Sequence, residues 1–115
     1  MVTSEKERRA SPTYSLNRIR ELAGQGAVNY GSSKVLNDVE NLSYGLQTVC
    51  ECLASLAESD FCHAERYGPK SIWLDVYKIT YNGYRDFTDD LYIKLKLDRD
   101  CLVIVLCSFH RESNS

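Results

Sequence analysis

Apolar residues recur along this chain at two different periods, and the change falls near residue 71. Before it, Leu16, Ile19, Leu22 and Ala23 are spaced by three and four. So are Val35, Leu36, Val39 and Leu42, and then Leu46, Val49, Cys50, Leu53, Leu56 and Ala57. Each set is one face of a short amphipathic helix. Ser15 can cap the first, Ser32 or Ser33 the second and Ser43 the third, because a hydroxyl oxygen accepts an otherwise unpaired N–H of the first turn. Gly24 and Gly26 supply a stop, since glycine adopts the left-handed C-cap cheaply. After residue 71 the period is two, which predicts strands over about 71–81, 90–97 and 101–110. Asn82-Gly83 is the strongest turn signal, the polar segment 84–90 extends that hairpin or loop outward, and Asp98-Arg99-Asp100 turns between the last two strands.

The stretch Glu58 to Tyr77 joins the two regimes. It opens on Ser59-Asp60, passes through a polar turn holding Cys62 and His63, crosses Gly68-Pro69 and enters the run Ile72 to Tyr77. Trp73, the chain's one tryptophan, reads there as core or as a sheet-to-helix anchor.

These elements predict an α+β fold, with three N-terminal helices packed on one face of a three-stranded antiparallel meander. On the last two strands the odd positions are Leu91, Ile93, Leu95, Leu97, Cys101, Val103, Val105, Cys107 and Phe109, an apolar face for the helices. The even positions carry Tyr92, Lys94, Lys96 and His110 together with Leu102, Ile104 and Leu106. That second face is the candidate working surface. With a turn at 98–100, Tyr92 faces Leu106, about 13 Å of strand away from His110. Either a bulge within 105–109 brings the two together, or Tyr92 and His110 flank an extended site.

Composition narrows the class. With 115 residues and 43% hydrophobic content the chain is one globular domain, expected over residues 13–112 behind a flexible tail at 1–12. No apolar run approaches the roughly 20 residues of a membrane span, and the N-terminus has no signal-peptide core, so a cytoplasmic location without membrane contact is expected. Five cysteines without a secreted context read as free thiols. A net charge of −2 excludes bulk electrostatic attraction to nucleic acid, so any such contact needs a local patch.

Candidate chemistry is sparse. Cys50 and Cys52 sit about 200° apart around a helix and cannot share a tetrahedral ion. Cys101 and Cys107 read as small core residues. Cys62 beside His63 lacks nucleophile–base geometry and a third orienting group. By pattern alone, Tyr92, Lys94 and Lys96 could be a solvated strand face, and His110 an exposed polar residue. No cofactor or metal is implied.

LAESDFCHA, SIWLDVY, LYIKLKL and SFHRE, in this order after three helices, resemble the motility quorum-sensing regulator toxins. The resemblance covers about residues 13–112 and is most specific over 56–112. It implies a RelE-like α+β fold and the toxin of a type II toxin–antitoxin pair that cleaves mRNA. The implied partners are mRNA and a cognate antitoxin protein, with no direct DNA binding by the chain alone. The family's active Lys after SDF corresponds to His63, the Gln of its IWQDVY to Leu74, its strand Tyr to Tyr92, and the Lys after its final SF to His110.

Both lysine positions have become histidine. Metal-free RNA cleavage needs a base for the 2′-hydroxyl proton, an acid for the leaving 5′-oxygen and cations beside the phosphate. Histidine can serve as either acid or base near neutral pH. On that reading His63, Tyr92 and His110 are catalytic, the two histidines as an acid–base pair with Tyr92 assisting, and Lys94, Lys96 and Arg111 bind substrate. The alternative is a catalytically inactive module that has kept RNA or antitoxin contact on the same fold.

Overall fold

The computed structural model describes residues 6–84 and 87–112. Residues 1–5 of the expected tail and residues 85–86 of the expected 84–90 segment lie outside the described residues. In chain order the elements are β1 (Lys6–Arg9), α1 (Leu16–Gly24), β2 (Val28–Tyr30), α2 (Ser33–Asn41), α3 (Leu46–Ala54), a 3₁₀ turn (Glu58–Asp60), β3 (Phe61–Tyr67), β4 (Leu74–Tyr84), β5 (Phe87–Leu97) and β6 (Ile104–Arg111). The fold is α+β, but the expected three-stranded meander is wrong. The sheet has six strands in the order β1-β3-β4-β5-β6-β2, mixed because β2 runs parallel to β6 while the other pairs are antiparallel.

The three helices form where the apolar spacing places them, but α3 is capped by Gly45 without a side-chain bond and not by Ser43, which takes φ 62° in the connecting turn. Ser15 accepts from Arg18 N at the start of α1, and Ser32 from Val35 N at the start of α2. Gly26, at φ 71°, ends α1 while Gly26 N and Ala27 N return to Ala23 O and Leu22 O. This is the Schellman arrangement, which satisfies carbonyls left unpaired at a helix end. Ile19, Leu22, Val35, Val39, Val49 and Leu53 are buried against one face of the sheet, beside Tyr77, Leu91, Ile93 and Leu95.

Three strands escape the period-two pattern for separable reasons. β2 is three residues long, too short for alternation to register, and is fixed by Gly31 N donating to Leu106 O at 2.8 Å and Ile104 N to Ala27 O at 2.9 Å. β3 carries polar side chains on both faces, so it reads as a turn. β1, inside the expected tail, is charged throughout and pairs with β3 from Lys6↔Tyr67 to Arg9↔Ala64.

What holds β1 in place is the SIWLDVY segment. The Asp75 carboxylate, fully buried, accepts the backbone N–H of Thr13 and Tyr14 at 2.9 to 3.0 Å. Tyr14 donates its hydroxyl to Trp73 O at 2.7 Å. The Arg9 and Arg66 guanidinium groups both pack on the Trp73 ring, 4.2 and 4.7 Å from its centre. Trp73 is therefore an anchor for the N-terminal segment.

Asn82-Gly83 does not turn the chain; it lies inside β4. The Asp98 turn is longer than expected. Asp98 Oδ1 accepts from Leu102 N and Val103 N, Cys101 takes φ 55°, and Asp98 N donates to Val103 O. β6 therefore begins at Ile104, and its core face is Ile104, Leu106 and Phe109. The expected odd face holds on β5, where Leu91, Ile93, Leu95 and Leu97 are buried, but beyond the turn only for Phe109: Val103, Val105 and Cys107 are half-buried and Cys101 is exposed. An extra residue explains the switch of parity. Lys94 pairs with Ser108 but Leu95 with Leu106, so Cys107 bulges out.

Phe109 is fully buried, with Tyr44 edge-on at 6.1 Å between ring centres. Phe109→Ala should cost about 3–5 kcal/mol in urea unfolding, from lost burial and the cavity left behind. A loss under about 1 kcal/mol would remove Phe109 from the core.

Candidate active site

The helix-free face of the sheet carries its polar side chains in register. β3 contributes His63, Glu65 and Tyr67; β4 contributes Leu74, Val76 and Lys78; β5 contributes Tyr92, Lys94 and Lys96; and β6 contributes Ser108 and His110. Pairing sets His63 opposite Val76, Val76 opposite Lys94 and Lys94 opposite Ser108. In the next row Lys78 pairs with Tyr92 and Tyr92 with His110.

Tyr92 and His110 stack, with ring centres 5.2 Å apart and planes inclined by 15°. The bulge at Cys107 makes this possible, because it restores the register that a regular ladder would lose. His110 Nδ1 lies 2.8 Å from Arg111 O. A carbonyl can only accept, so Nδ1 carries hydrogen, and in the neutral ring Nε2 bears the lone pair.

A second cluster surrounds Glu65, which has no exposed surface. Its Oε1 accepts from His63 Nε2 at 2.9 Å and lies 3.5 Å from Lys6 Nζ. Its Oε2 meets Lys94 Nζ at 2.8 Å and accepts from the Tyr67 hydroxyl at 3.2 Å. Burial pushes the Glu65 carboxyl up, but the hydrogen bonds from Lys94 and His63 and the charges of Lys94 and Lys6 outweigh it and hold it at about 2. For Lys94, burial acts to lower the ammonium, and Glu65 and Tyr92 reverse it to a net upward shift. Val76 is completely covered beneath these groups.

The residues expected in the site are thus divided. Tyr92 and His110 are in contact, and Lys94 lies 5.9 Å from the centre of the Tyr92 ring. His63 joins the same face through Glu65 rather than through His110. The strands of His63 and His110 are three spacings apart, about 14 Å. Lys96 shares the face and has no ion-pair partner among the described residues. Arg111 points the other way: it pairs with core-facing Leu91 and gives its Nε–H to Asp89 at 3.0 Å.

Glu65, Lys6 and Tyr67 were not expected from sequence. A signal existed, since His63, Glu65 and Tyr67 alternate at the period of a strand. No apolar residue accompanied them strongly enough to mark one.

The family model described as "Motility quorum-sensing regulator, toxin of MqsA" matches residues 11–111. The chain belongs to that family. It is the toxin of a toxin–antitoxin system, and an antitoxin is its partner. No curated protein matches the chain. No helix among the described residues is long and apolar enough to cross a membrane. In this toxin the four positions carried over by resemblance, His63, Leu74, Tyr92 and His110, all belong to the helix-free face of the sheet.

The Glu65 cluster makes an acid-stability prediction with a definite sign. A carboxyl held at about 2 rather than the ordinary 4.5 stabilises the fold at pH values above 4.5 and loses that contribution as the pH falls toward 2. The contribution is about 3 kcal/mol. Glu65→Gln should remove that pH dependence and leave Lys94 poorly paired, at a cost of about 3–5 kcal/mol near neutral pH. Unfolding curves from pH 7 to 2 for parent and variant check both effects; parallel curves would remove Glu65 as their source.

Proposed function

We propose that this toxin is a metal-independent endoribonuclease that cleaves mRNA by 2′-hydroxyl attack, and that its antitoxin neutralises it. The observation that carries the reading is the Tyr92–His110 stack, in which the Nδ1–H of His110 is committed to the Arg111 carbonyl. His110 Nε2 takes the 2′-hydroxyl proton, and the 2′-oxygen attacks the adjacent phosphorus. The bond from phosphorus to the 5′-oxygen breaks, and the Tyr92 hydroxyl protonates the leaving oxygen. The products are a 2′,3′-cyclic phosphate and a 5′-hydroxyl.

Lys94 and Lys96 meet the charge that builds on the phosphate. Glu65 fixes Lys94 beside Tyr92, which makes the carboxylate a positioning residue. It also takes the Nε2–H of His63, leaving Nδ1 for a neighbouring part of the RNA. This departs from an acid–base pair formed by the two histidines, since three strand spacings separate them.

A second reading is a non-catalytic RNA- or antitoxin-binding module. Leu74 favours it, because a leucine stands where the family resemblance expects a polar glutamine.

Purified toxin incubated with RNA separates the two. The enzyme reading expects fragments with cyclic phosphate ends and a rate unchanged by chelators. His110→Ala should lower that rate by about 10²–10⁴, the usual contribution of a positioned acid or base. Intact RNA, or cleavage by a folded His110→Ala variant at the parent rate, would refute it.

Lys96→Gln tests the phosphate contact. Losing one such contact should flatten the dependence of log affinity on log salt by about 0.7 for single-stranded RNA. An unchanged slope would place Lys96 off the RNA path.

A further inference from the structure

Beyond the end of β2, α2 lies along β6, and the two enclose an open groove of about 330 Å³. Its lining is Lys34, Asp38, Asn41 and Leu42 from α2 and its C-terminus, with His110 and Arg111 from β6. His110 is therefore a wall shared by this groove and the Tyr92 stack. Leu42, nearly buried, supplies an apolar surface. Asn41 is exposed and offers both an amide donor and an amide acceptor. Asp38 accepts from Lys34 Nζ at 2.7 Å across one helical turn, and the Lys34 side chain is 77% exposed. Arg111 is steered to the groove by Asp89, which in turn accepts from the Tyr44 hydroxyl at 2.7 Å.

We infer that this groove takes one nucleobase of the RNA next to the phosphate handled by His110, and that Asp38 and Asn41 read its edge. The inference rests on the ribonuclease reading for the position of the scissile phosphate. The volume lies at the low end of the roughly 300–1,000 Å³ of small-ligand sites, which suits a single nucleotide rather than a run of them. The polar groups are few and unlike one another, as base discrimination requires. A carboxylate only accepts, so Asp38 selects an edge rich in N–H groups. An asparagine amide matches an edge that presents a donor beside an acceptor. Together they favour a base with an exocyclic amine, adenine, cytosine or guanine, over uracil. Lys34 and Arg111 stand at the rim as partners for the flanking phosphates. Lys34 exchanges Asp38 for phosphate when RNA enters, which frees the carboxylate for the base.

The test uses the full chain and 2′-O-methyl oligoribonucleotides, which keep the bases and block attack by the 2′-oxygen. Uracil is substituted at each position in turn, and binding is read by fluorescence anisotropy. At one position, uracil in place of an amino-bearing base should weaken binding by about tenfold, the discrimination expected of a good base-edge contact. Asn41→Ala and Asp38→Asn should reduce that ratio to about twofold. Lys34→Ala should instead weaken all sequences alike and flatten the salt dependence. Circular dichroism melts confirm that each variant is folded, which the exposure of Asn41 and Lys34 favours.

Absence of base discrimination at every position overturns the inference, as does discrimination left intact in both Asn41→Ala and Asp38→Asn. Because the probes cannot be cleaved, the result is independent of catalysis. Discrimination that depends on Asp38 and Asn41, without fragments from unmodified RNA of the same sequence, supports the groove and refutes the ribonuclease reading. Fragments from that RNA, with discrimination unaltered in both variants, do the reverse.

Discussion

A carboxylate cannot be sealed from water inside a protein without cations or donors to meet it. Glu65 imposes that requirement on this toxin. Its partners come from three strands: Lys6 from β1, His63 and Tyr67 from β3 itself, and Lys94 from β5. β4 contributes no charge to the cluster, only Leu74 paired opposite Glu65 and Val76 buried beneath the group. One buried charge thus joins the edge of the sheet to its centre and fixes the lysine nearest to Tyr92. The N-terminal segment is recruited by the same demand, and Asp75 and Trp73 hold it from the opposite face.

The second constraint is backbone rather than charge. Without the extra residue at Cys107, strands β5 and β6 could bury Leu95 against Leu106, or stack Tyr92 on His110, but not both in one regular ladder. The bulge reconciles a continuous core with a continuous polar row. It also turns Arg111 toward α2 and Asp89, away from the two lysines.

Much of the fold was legible where periodicity is strong. The helical stripes and the core face of β5 follow from spacing, because burial of one face is what makes those segments helices or strands, and Ser15 and Ser32 mark two of the three helix starts. β1, β2 and β3 were hidden because burial does not organise their sequences: β1 is charged, β2 is too short, and β3 is polar on both faces. The parity of β6 failed for another reason. A run of Leu, Val and Ile on both faces contains no marker for the residue that bulges. For the site, the resemblance singled out Tyr92 and His110, and pairing puts them in contact. Glu65 was missed with its strand, since a glutamate beside an arginine and a tyrosine looks like solvated surface until its partners are known.

The order of the strands also bears on how the toxin comes into being at the ribosome. β1 and β2, the two outer strands, are made first, yet neither pairs with the other. Their partners, β3 and β6, follow only after the helices, and β6 closes the described chain. Val28 waits for Ile104, and Lys6 for Tyr67. During synthesis the helices emerge with their apolar faces uncovered, and contacts between residues so distant in sequence form slowly. The two edges of the sheet, β1 on β3 and β2 on β6, therefore bridge the helices and are its slowest pairings to form, whereas the Tyr92–His110 stack lies within the local β5–β6 hairpin.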